Sequence, residues 1–155
     1  MYPALFVLCM YDIQRAPEYG AIARKIIRHI PELRFIRDAK IRIAYLSSDE
    51  EKHHGPKTVF ADCRKVDPIY SPWCKYDFLI TVYAPNVADF TENQIKVLLW
   101  HELLHVGLDD KTLDPKYIVN PHDIEEFRVI MDRFGVDWSE PGRDLPDILE
   151  SDMSG

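Results

Sequence analysis

The apolar positions of this chain change period along its length, and each change marks an element. From Ala16 to His29, Ile22, Ile26 and Ile27 recur at helical spacing, which predicts an amphipathic helix ended near Pro31. Between Ala39 and Leu46, Ile41, Ile43 and Tyr45 alternate with Lys40, Arg42 and Ala44, the period of a half-buried strand. Ser47 to Lys57 reads as a polar loop. Thr58 to Val66 and Asp77 to Tyr83 read as two further strands, separated by a Pro- and aromatic-rich connection from Asp67 to Tyr76. The helical period returns at Thr91, where Thr91 with Gln94 forms a capping box before Ile95, Leu98, Leu99, Leu103 and Val106. Gly107 follows as the natural stop, in a left-handed conformation. After an insert from Leu108 to Val119, Asn120 is a suitable N-cap and Pro121 suits a first turn, so a second helix is expected there, with the stripe Phe127, Ile130, Met131 and Phe134. Helix, three strands, helix, insert and helix make an α+β domain.

Composition narrows the class. The chain has 155 residues, 46% hydrophobic and 29% charged, which is ordinary for one soluble globular domain. Three cysteines, Cys9, Cys63 and Cys74, indicate neither a disulfide framework nor a Cys-based metal site, and a reducing, cytoplasmic home is expected. The opening run Ala4 to Met10 lacks a basic leader and is too short to span a bilayer, so it reads as a buried strand or a packed terminal segment. The net charge of −7 resides entirely from His122 onward, where 10 acidic residues face 3 basic ones. Ser139 to Gly155, with its prolines and carboxylates, reads as a mobile acidic tail after a domain ending at residue 138. Such an end repels phosphates and gives no support to nucleic-acid binding. The basic group around Arg24 to Arg42 reads as a solvated face.

Chemistry concentrates in His101-Glu102-Leu103-Leu104-His105. Side chains four apart stack on one helix face, so His101 and His105 can both reach one zinc ion while Glu102 acts on a water there. Zinc in a hydrolase takes a third protein ligand and leaves one position open. Candidates lie downstream: His122, seventeen residues beyond His105; Glu125, twenty beyond; Glu126; and Asp123. Spacing alone leaves these open. The adjacent His53 and His54, followed by Gly55-Pro56, read as surface. Asp109, Asp110 or Asp114 could orient a ligand histidine, and Tyr117 could either donate to an oxyanion or pack on the core.

HELLHVG, followed after a short insert by PHDIEEFRVIMDRFG and Trp138, resembles the phage metallopeptidase family, which is similar in pattern to SprT-like zinc proteases. AIARKIIRHIPEL, AKIRIAYL and YDFLITVYAP resemble it too, so the likeness covers roughly Pro17 to Trp138. It implies a minimal zincin: an N-terminal helix, a small twisted sheet of three or four strands over the motif helix, and a second helix. It also implies His122 as third ligand and an edge strand for an extended peptide, for which Asp77 to Tyr83 is the candidate. A metzincin is excluded, since its third histidine would fall at Lys111 and its glycine at Leu108. The implied activity is zinc-dependent hydrolysis of a protein or peptide substrate with Glu102 as general base. The alternative is a zinc-binding structural or interaction protein.

Overall fold

The computed structural model describes residues 11–111, 113, 116–122 and 126–150. Strand β1 (Ile13–Arg15) leads into helix α1 (Pro17–His29), which starts on a proline, carries Glu18 in its first turn and ends on Arg28 and His29. Gly20, Ala23, Ile26 and Ile27 are its buried side. A 3₁₀ turn at Pro31–Leu33 and the short helix α2 (Arg34–Asp38) return the chain to β2 (Ile43–Ser48). The two-residue strands β3 (His53–His54) and β4 (Lys57–Thr58) close a small hairpin around Gly55, whose φ of 60° suits glycine. Strands β5 (Ala61–Lys65) and β6 (Phe78–Tyr83) complete the main sheet in the order β1-β2-β6-β5, with β2 and β6 parallel and the other pairs antiparallel.

This order corrects the expected sheet edge. β6 lies inside the sheet, and its sequence FLITVY buries Phe78, Ile80 and Val82 on one face and Thr81 and Tyr83 on the other. A near-continuous apolar run is what a strand covered on both faces requires. The edge beside the helices is β5, where Arg64 and Lys65 stay exposed.

Helix α3 (Glu92–Leu104) packs against α1 and β5. Its capping box is complete: Gln94 N–H donates to Thr91 Oγ1 at 3.1 Å, and Thr91 N–H donates to Gln94 Oε1 at 2.9 Å. Val97 and Trp100 are buried as well as Leu98, Leu99 and Leu103, so α3 is a central helix and not an amphipathic one with a single wet face. It ends at Leu104 with His105 as its cap, and Gly107 already belongs to strand β7 (Val106–Asp109), without a positive φ. The insert is not a loop: β7 pairs antiparallel with β8 (Lys116–Val119), Gly107 opposite Ile118. The second helix also begins later than Asn120. Residues 120–122 are irregular, and α4 spans Arg128–Phe134 after the cap residue Phe127. Its stripe is as expected, with Phe127, Ile130 and Phe134 buried.

Packing does not stop at Trp138. Leu145 and Ile148 are 4% and 1% exposed within the core, Asn93 Nδ2 donates to Leu145 O at 2.8 Å, and Lys96 pairs with Asp147 at 2.7 Å. Residues 139–150 are thus a strap across α3, against the reading of a free tail; 151–155 and the Ala4 to Met10 run lie outside the described residues. No helix among the described residues is long and apolar enough to cross a membrane. Ile148→Ala should therefore cost about 2–5 kcal/mol in urea unfolding, as truncation of a buried aliphatic does. A change within about 0.5 kcal/mol, the size of a surface substitution, would mean the strap is not part of the core.

Candidate metal centre

The last turn of α3 presents His101 and His105 one turn apart, with ring centroids 5.2 Å from each other. His122, just past β8, brings its ring to 4.9 Å from His101 and 4.6 Å from His105. The Nε2 atoms of His101 and His122 are 3.0 Å apart, and one ring nitrogen from each of the three residues lies within 4.8 Å of the others. Phe127 stands edge-on to all three rings, with centroid distances of 5.2, 4.9 and 5.1 Å. Three imidazoles converging in this way could hold one metal ion, and a set of three nitrogens suits zinc with a fourth position left open.

Asn120 accounts for much of this convergence. Its side-chain Nδ2 donates to the carbonyls of Leu104 and Val106 at 3.2 and 3.1 Å, and its backbone N–H donates to His105 O at 2.7 Å. The Leu104 and His105 carbonyls are among the acceptors that a helix end leaves open. The asparagine expected to start a second helix closes the preceding one instead. Its own carbonyl accepts from His105 Nδ1 at 2.6 Å. A carbonyl only accepts, so the proton sits on Nδ1 and Nε2 is left as a lone-pair donor. Gly107 makes the stitch possible: a Cβ there would stand 2.8 Å from Asn120 Cγ and from Ile118 Cγ1. Close approach, not a left-handed helix stop, is the reason for glycine at this position. His101 is backed differently, its Nδ1 lying 2.5 Å from Glu126 Oε1 in a close contact short of well-aligned hydrogen-bond geometry.

Glu102 is 3% exposed yet lines the cleft at this site. Burial pushes its carboxyl up to about 7; His101 opposes the shift, while Asp62 and Glu126 add to it. Burial likewise lowers His105, with the charges of His101 and His122 working in the same direction against its bond to Asn120, which favours the neutral ligand form. Glu126 would be raised by burial, but its contacts with His101, Phe127 and Trp138 hold it below the usual carboxylate range. Burial pushes the Cys63 thiol well above its ordinary range, with Glu102 and Asp62 adding, so it stays a neutral apolar lining. The cleft has a volume of about 570 Å³ and runs between Ala61–Cys63 of β5 and the His101 turn, with Met131 and Trp138 along its far side.

Of the candidates for the third position, His122 is the one that joins His101 and His105 among the described residues. Glu126 stands behind His101. Asp123, Glu125 and Asp114 lie outside the described residues. His53 and His54 are exposed on their own hairpin. Asp109 accepts from Lys111 N–H, and Tyr117 packs edge-on to Phe78 at 5.7 Å, so neither takes the role considered for it at the site. Asn120 and Asp62 were not legible as parts of the site, while Glu126, a candidate ligand by its position in sequence, stands behind His101 instead. The contacts that place them, Asn120 with Leu104 and Asp62 with Tyr83, join residues distant in sequence, and no local pattern marks them.

Asp62 on β5 accepts at Oδ2 from Tyr83 Oη at 2.6 Å, Lys52 Nζ at 3.0 Å and an Arg64 guanidinium nitrogen at 3.2 Å. Burial would raise its carboxyl, but these partners outweigh it and hold it below the ordinary range.

The chain matches the family model described as "Putative phage metallopeptidase" over residues 11–148. No curated protein and no solved structure matches it at a significant level.

Two predictions follow from the geometry. Gly107→Ala should destabilise the fold by about 1–3 kcal/mol, the usual cost of overpacking. Equal melting temperatures for wild type and Gly107→Ala would refute the close approach. The second concerns acid. A carboxyl with a lowered folded pKa stabilises above its ordinary value near 4 and loses that contribution as pH falls through the folded value. Asp62→Asn should thus lower the melting temperature most at about pH 6–7, with the gap to wild type narrowing as pH falls below about 4. A gap constant across that range would contradict the ionised network.

Proposed function

Because the chain belongs to the phage metallopeptidase family, we propose that it is a zinc-dependent peptidase of minimal-zincin architecture that cleaves protein or peptide substrates. The observation that carries this reading is the convergence of His101, His105 and His122 beside the buried carboxyl of Glu102. The three imidazoles would hold the ion through one ring nitrogen each, His105 through Nε2 because its Nδ1 is committed to Asn120. Bound there, zinc supplies Lewis acidity toward a water and a peptide carbonyl.

The chain's own residues do the rest. Glu102 takes a proton from the attacking water onto a carboxylate oxygen and delivers it to the departing amine. The unpaired edge of β5 along the cleft supports an extended substrate adding as a strand, in the role expected of β6. The open cleft also supports catalysis over a structural metal site, because a structural zinc is closed on all four sides.

The test is cleavage of an unfolded protein or peptide library by zinc-loaded protein and by Glu102→Gln. Loss of the proton carrier should lower the rate by about 10²- to 10⁴-fold while zinc content stays at wild type. Zinc content should fall in His101→Ala, His105→Ala and His122→Ala. Full activity in Glu102→Gln would reject the mechanism, and full zinc content in all three histidine variants would reject the site. Chelation should lower the melting temperature without unfolding the domain, since α1, α3 and the sheet form a core that excludes the site histidines. Unfolding on chelation at room temperature would mark the metal as structural.

A further inference from the structure

Glu126 is held at both oxygens. Oε1 faces His101 Nδ1 at 2.5 Å and accepts from Phe127 N–H at 2.7 Å; Oε2 accepts from the indole Nε1–H of Trp138 at 3.2 Å. Trp138 is itself fixed, 4% exposed, with its carbonyl accepting from Gln94 Nε2 at 3.0 Å. The same Nε2 donates to Glu140 O at 2.6 Å, and Gln94 is fully buried. Gln94 and His101 are seven residues apart on α3, two turns along one face. The contacts therefore close a ring: α3 holds Trp138 through Gln94, Trp138 holds Glu126, and Glu126 returns to α3 at His101. His101 Nδ1 is buried from solvent, and the Glu126 carboxylate is the polar group that faces it.

We propose that Glu126 and Trp138 are positioning residues: the strap beginning at Trp138 fixes the Glu126 carboxylate, which in turn sets the orientation and donor strength of the His101 imidazole toward a bound metal. The inference rests on the zinc reading of the site. It gives the 138–150 segment a function beyond covering α3. A carboxylate behind a ligand histidine raises the basicity of the ring and fixes its tautomer, and losing such a partner typically weakens metal binding by about 10- to 100-fold.

The experiment is zinc affinity by competition with a chromophoric chelator for wild type, Glu126→Gln, Trp138→Phe and the double variant, with the visible absorption of the cobalt-substituted proteins as a second readout. Glu126→Gln should bind zinc about 10- to 100-fold more weakly. Trp138→Phe should shift affinity and cobalt spectrum in the same direction by less, and the double variant should match Glu126→Gln alone because the two act in series. A third readout needs no change at Trp138: its indole N–H resonance should move on zinc titration of wild type and move less in Glu126→Gln, where only the direct packing on His101 remains. Wild-type affinity in Glu126→Gln, additive losses in the double variant, or an indole resonance blind to zinc would each overturn the proposal. A wild-type chain that binds no zinc would overturn the site itself along with it.

Discussion

The last turn of α3 and its cap residue bring together two half-buried imidazoles and a buried carboxyl. Polar groups taken out of water must be paired or neutralised, and that constraint explains the arrangement around the site. His105 is satisfied by the Asn120 carbonyl, His101 has the Glu126 carboxylate beside its Nδ1, and Glu102 meets the same demand by a raised pKa. Each solution recruits a different part of the chain. The β7–β8 hairpin exists in this register because Gly107 leaves room for Asn120, and the same turn of chain sets His122 over the two helix histidines. The strap from Trp138 holds the other flank.

The site is therefore assembled from three levels of structure. The spacing of His101 and His105 is a property of one helix. The position of His122 belongs to a hairpin stitched onto the end of that helix. The setting of Glu126 belongs to a segment that returns from far along the chain to cap the helix start at Gln94. A change at any level should reach the imidazoles by a different route, which is why stability and metal affinity are separable readouts here.

Local signals made the motif helix, its capping box and the Phe127, Ile130 and Phe134 stripe legible in sequence, because each is written within about two turns. Long-range pairing was not legible in the same way. Asn120-Pro121 carries the signature of a helix start, and tertiary contacts use the asparagine to finish the helix before it. FLITVY is uniform enough to mark an interior strand, but the edge was assigned to it by resemblance and not by its own pattern. Leu145 and Ile148 are two apolar residues in a stretch of prolines and carboxylates, so composition argued for a tail where packing made a strap. Glycine at 107 was read for its backbone freedom, while its value lies in the missing Cβ.

X-ray absorption at the zinc edge on the loaded protein tests the central claim most directly, since it counts the ligands and identifies their type. The account predicts three imidazole nitrogens at about 2.0–2.1 Å with one further light atom, and loss of one imidazole in His122→Ala. Two imidazoles with a protein carboxylate, or a spectrum unchanged in His122→Ala, would contradict it.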